Sequence, residues 1–97
     1  MASSTIKKTP SIYPNYANGV VATLNTVSAQ YQCVKNGFLI GQIQKATNGQ
    51  AIVFVSGQGL VATSDAHTIV DVFIPVRAGE IISTRAYGIY ALNVYEE

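Results

Sequence analysis

From Val20 onward, turn residues cut the chain into short apolar runs, and several runs are apolar at consecutive positions rather than alternate ones. Runs of this length and spacing suit the strands of a sandwich or barrel, and no stretch carries the stripe of an amphipathic helix. The pattern predicts strands over residues 20–25, 31–34, 38–44, 51–56, 60–63, 68–76, 81–85 and 89–95. The expected fold class is all-β, a compact antiparallel β-sandwich of about eight short strands.

The turns carry part of this reading. Asparagine followed by glycine tolerates the positive φ of a tight hairpin. Asn36-Gly37 and Asn48-Gly49 each separate two strand segments, which predicts an antiparallel meander. Arg77-Ala78-Gly79 matches a short hairpin loop with a left-handed glycine, where a β-branched residue is expected to be costly. Ser56-Gly57-Gln58-Gly59 reads as a further hairpin turn, because its Gly-x-Gly fragment lies between two strands and lacks the helix that would hold a phosphate.

A sheet with one wet face alternates apolar and polar residues. Here Ala51, Val53 and Val55 oppose Ile52 and Phe54; Val70, Val72, Ile74 and Val76 oppose Ile69 and Phe73. In the last strand Tyr90, Leu92 and Val94 oppose Tyr87, Ile89, Ala91 and Tyr95. A two-layer sandwich covers only one face of each sheet, and monomers rarely expose large apolar patches. A second copy of the chain is the expected cover. Burying ~800 Å² per subunit at about 25 cal/mol per Å² gives a gross gain on the order of 20 kcal/mol before association costs. Asp71 interrupts one of these strands; it is expected to take a rim position or pair with Arg85 or Arg77, or else to lie near a symmetry axis where copies would raise one another's pKa.

Composition agrees with a buried surface. Charged residues are 11% of the chain, against about 25% in an average soluble domain. The net charge of +1 is scattered, which gives no footprint for nucleic acid or an anionic membrane, and no apolar run is long enough for a membrane span. Cys33 is the only cysteine, so no intrachain disulfide forms, and its apolar flank suggests a buried small hydrophobe. The polar stretch 1–19 reads as a leader or linker before a single domain over 20–97, with Tyr13 and Tyr16 able to tuck against that domain. No signal core follows Met1, so a soluble product made in a reducing cytoplasm is expected.

The chain is expected to be non-enzymatic and to need no cofactor. Ser64, Asp65 and His67 lie together, but on an extended strand Asp65 and His67 project to one face and Ser64 to the other, so no relay forms locally. Asp65 and His67 alone are a weak metal signal, and no metal site is assigned.

The run Pro14-Asn15-Tyr16-Ala17-Asn18-Gly19-Val20, then Val34-Lys35-Asn36-Gly37-Phe38 and Phe73-Ile74-Pro75-Val76-Arg77-Ala78-Gly79-Glu80, resembles small jelly-roll domains of phage and prophage tail fibres and head fibres. Those domains are similar in outline to the trimeric tumour necrosis factor and complement globular-head folds. The anchor is the turn from Pro75 to Glu80; Cys33 and Val34 stand where an Ala-Pro pair is common. The resemblance implies a homotrimeric jelly roll on a virion surface, synthesised in the host cytoplasm. It would bind a host-surface carbohydrate or protein, or decorate the capsid through other virion proteins without a host ligand. Since loops on rigid scaffolds often carry recognition, Asn48, Gln58, Asp65 and His67 are the candidate ligand-binding residues.

Overall fold

A computed structural model describes residues 13–46, 49–64, 68–85 and 88–97. Its strands are β1 (Ala22–Leu24), β2 (Gln30–Gln32), β3 (Gly37–Lys45), β4 (Ala51–Val55), β5 (Gly59–Ser64), β6 (Ile69–Val76), β7 (Ile81–Arg85) and β8 (Gly88–Glu96). Each overlaps one of the segments expected from the apolar runs. The only helical geometry among the described residues is a 3-10 turn at Tyr16–Asn18.

The strands form two four-stranded antiparallel sheets. Sheet A has the order β1-β8-β3-β6 and sheet B the order β2-β7-β4-β5. First pairs with last, second with seventh, third with sixth and fourth with fifth. This nesting is what results when a long antiparallel ribbon, folded at β4 and β5, is rolled into a sandwich: it is jelly-roll connectivity.

That order overturns the meander. Only β4 and β5 are consecutive strands within one sheet; every other connection passes from one sheet to the other. Asn36-Gly37 leads from β2 in sheet B to β3 in sheet A, and Gly37 is not in the left-handed region. A Cβ on Gly37 would lie 1.9 Å from the Tyr95 carbonyl oxygen, so this glycine serves the close approach of β3 to β8. Gly49 forms an isolated antiparallel bridge with Ala46, but the chain there passes from sheet A to sheet B; Asn48 lies outside the described residues. Gly79 does adopt a positive φ of 89°, as its turn chemistry requires, yet its loop also crosses between sheets and is no hairpin. Among the described residues the Ser56–Gly59 turn is the one hairpin between consecutive strands, closed by the Gln58 N–H donating to the Val55 carbonyl at 2.9 Å.

Between the sheets lies one core. Leu39, Ile43, Val72, Val76, Leu92 and Val94 of sheet A face Ala51, Val53, Val55 and Ile82 of sheet B, with Leu24 and Cys33 closing the sides. Cys33 is the buried hydrophobe its flank suggested. Tyr90 crosses the core: its hydroxyl accepts the Ile52 N–H at 2.9 Å and lies within hydrogen-bonding distance of the Ile52 and Arg85 carbonyls. Sheet A is thereby tied to β4 and β7 by polar bonds as well as packing. The Thr84 hydroxyl accepts the Ala29 N–H at 2.8 Å and donates to the Thr26 carbonyl, holding the β1–β2 connection. Among the described residues, every buried side-chain nitrogen and oxygen has a partner.

The segment before β1 packs against sheet A. Pro14 is buried, the Tyr16 ring meets Tyr95 edge to face at 4.9 Å, and the Asn18 side-chain amide donates to the Glu96 carbonyl at 3.2 Å.

Candidate functional site

Strand alternation sets what each sheet presents outward. The register of sheet A aligns Phe38 with Pro75 and Tyr95, Ile40 with Phe73 and Asn93, Gln42 with Asp71 and Ala91, and Gln44 with Ile69 and Ile89. The inward positions of these strands fill the core, so these rows form the outer face. Ile69, Phe73 and Ile89 are 58%, 56% and 60% exposed, and Phe38 and Phe73 pack ring against ring at 5.4 Å. Asp71 lies at the rim of the face, on the edge strand β6, which is one of its expected placements, and accepts a hydrogen bond from the Gln42 amide at 3.2 Å. The expected arginine partnership does not form. Arg85 is on the outside of sheet B, its guanidinium 4.4 Å from the centre of the Phe54 ring.

One end of the sandwich gathers three connections: residues 33–36, 56–58 and 77–80. Glu80 organises them. One carboxylate oxygen accepts the Arg77 N–H at 2.7 Å and the Gln58 amide at 3.1 Å, while the same amide donates to the Pro75 carbonyl at 2.8 Å. The Glu80 carbonyl receives the Cys33 N–H at 2.8 Å, the Cys33 carbonyl receives the Gly79 N–H at 2.7 Å, and Asn36 Oδ1 receives the Ala78 N–H at 2.9 Å. Gly57 fits here because a Cβ would lie 2.2 Å from the second Glu80 oxygen.

These bonds shape a cleft of about 340 Å³ lined by Gly57, Gln58, Pro75, Arg77 and Glu80. Across Pro75 and Arg77 it adjoins a smaller hollow of about 160 Å³, bounded by Tyr13, Asn15, Asn36, Phe38, Val76 and Glu97 among others. Among the described residues no acceptor pairs with the Arg77 guanidinium.

The same end is braced by Glu96, whose carboxylate accepts the Tyr31 hydroxyl at 2.8 Å and the Val34 N–H at 3.0 Å. Burial, reinforced by the adjacent Glu96 carboxylate, pushes Tyr31 up to about 12. Burial, with the charges of Glu96 and Glu80, pushes the Cys33 thiol up to about 11. Cys33 is held as an inert thiol at neutral pH.

Of the four residues expected to bind a ligand, Gln58 lies in the cleft. Asn48, Asp65 and His67 lie outside the described residues. The strand ends leading toward them come together at the far end of the sandwich, where the Lys45 N–H donates to the Ser64 hydroxyl at 3.2 Å and that hydroxyl donates to the Thr68 carbonyl at 3.1 Å. Ser64 is therefore a buried strut. Arg77, Glu80 and Asn36 were not among the sequence candidates, although the turn from Pro75 to Glu80 contains two of them. No group of three or more His, Cys, Asp or Glu side chains suited to a metal ion occurs among the described residues. No protein-family model, curated protein or solved structure matches the chain.

Proposed function

We propose that this chain is a non-enzymatic module of a phage virion surface, a fibre-tip or head-fibre domain that self-associates and binds a host-surface glycan or protein. The observation that carries the reading is the apolar outside of sheet A, three of whose large side chains stay more than half exposed in the single chain. Such a face calls for a protein cover, and a second and third copy supply one that matches in chemistry. The nested strand order is compatible with the family resemblance of the sequence, from which the virion assignment and the trimer derive. The end cleft, framed by three crossing connections, is the surface offered to a host ligand.

Solution mass tests the assembly, and a glycan array probed with the wild-type chain and Arg77→Ala tests recognition. Array signal lost in the variant supports the reading; signal that the variant retains in full places recognition elsewhere. A second reading, capsid decoration with no host ligand, draws on the same apolar face, since other virion proteins offer it an equivalent cover. Cosedimentation with empty capsids together with a silent array would favour that reading.

A further inference from the structure

We infer that the end cleft is a two-lobed site for an uncharged disaccharide, with Arg77 as the donor shared between its two rings; this rests on the recognition reading above. The argument begins from which polar atoms remain unused. Gln58 spends its amide hydrogens on Pro75 and Glu80, so its carbonyl oxygen is left as an acceptor. Asn36 spends its carbonyl oxygen on Ala78, so its amide is left as a donor pair. The Arg77 guanidinium offers a planar set of donors between the two lobes, both of which it lines.

Donors and acceptors thus alternate across two hollows that share Pro75 and Arg77 as lining, as vicinal hydroxyls require, each being donor and acceptor at once. The smaller lobe adds apolar surface from Phe38 and Pro75 and the Tyr13 ring, which is 70% exposed. An amphipathic ring of this kind suits the C–H face of a sugar. At about 160 Å³ this lobe takes a single ring, whereas the polar lobe, at about 340 Å³, reaches the lower range of small-ligand pockets, roughly 300 Å³ upward. Charge decides the class. Glu80 and Glu97 line the two lobes beside Arg77, so an acidic sugar would meet two carboxylates for one cation.

The experiment is an amide and arginine side-chain NMR titration of the full chain with millimolar lactose, maltose and cellobiose, and with sialyllactose as the acidic comparison. The expected result is that at least one neutral disaccharide shifts Arg77, Gln58 and the Asn36 amide together. Arg77→Ala should weaken that binding roughly tenfold or more, the effect of removing a charged hydrogen-bond donor. Asn36→Asp, which keeps the acceptor for Ala78 and removes the donor, should weaken it without unfolding the loop. Shifts from sialyllactose alone, shifts confined to other surfaces, or no shift from any of these sugars would each overturn the inference. The assembly and capsid measurements remain independent of that result, so its failure is distinguishable from failure of the virion-module reading.

Discussion

The two sheets have the same number of strands, but three strands of sheet A run 8 or 9 residues whereas none in sheet B exceeds 6, and their outsides meet solvent differently. Sheet A presents Ile69, Phe73, Ile89, Ile40 and Ala91, relieved only by polar residues such as the Gln42–Asp71 pair. Sheet B presents Gln30, Gln32, Thr63 and Arg85 among its apolar residues, and its Phe54 ring is covered by the Arg85 guanidinium. Leu60 is as exposed as Ile69, and both stand on edge strands, but Ile69 shares its row with the exposed Ile89, whereas Leu60 pairs with Phe54, the ring that Arg85 covers. The contrast shows how one chain can build a face that tolerates water and a face that calls for a neighbour while sharing a single core between them.

Substitutions on the two faces should break or sharpen that contrast. The largest effect is expected from Phe73→Asp, which places a charge in the apolar field; burying an aromatic side chain is worth about 1.5–3 kcal/mol, and a buried unpaired charge adds several more. The assembly should dissociate while the circular dichroism stays β-rich, whereas Leu60→Asp should leave the mass unchanged. Equal effects at the two positions would erase the distinction between the faces.

Next comes a change between the sheets rather than outside them. Tyr90→Phe keeps the ring and removes the hydroxyl that serves Ile52 and Arg85, and it should lower the unfolding free energy by about 1–3 kcal/mol in urea titrations. It should do so without altering which face self-associates.

Alkaline pH probes the end beneath the cleft. Tyr31 and Cys33 are both raised in the folded state, so the fold holds their protons more tightly than the unfolded chain does. Their contribution is complete below the unfolded values and is lost as pH rises through the folded ones, from 9.0 to about 11 for Cys33 and from 10.0 to about 12 for Tyr31. Melting temperature should be insensitive to these groups at neutral pH and fall above pH 9.0, and a Tyr31→Phe, Cys33→Ala double variant should flatten that decline. The smallest effect belongs to the wet face: Arg85→Ala removes the cation over Phe54 and should cost about 0.5–1 kcal/mol, read from the urea midpoint.

How much of this was legible in the sequence follows from what each residue type controls. Hydrophobic period is local, so the strands and their two-faced character could be read directly, as with Ile52 and Phe54 against Val53 and Val55. Partner choice is not local. Asn36-Gly37 looks like a hairpin because its residues permit one, but Gly37 is needed for contact with Tyr95 across β3 and β8. Gly79 shows the limit from the other side: its positive φ was readable, whereas the sheet its loop leads into was not. The cleft obeyed the same rule. Gln58 could be nominated as a loop residue, but its partner Glu80 is 22 residues away and Asn36 reaches Ala78 across 42, contacts that only the rolled topology creates.

The central claim is that the outside of sheet A is covered by copies of the chain, and light scattering coupled to gel filtration over a dilution series tests it most directly. The account predicts a particle of three times 10.3 kDa that persists on dilution to low micromolar concentration and falls to 10.3 kDa in Phe73→Asp. A wild-type chain that elutes as a 10.3 kDa monomer throughout would contradict it.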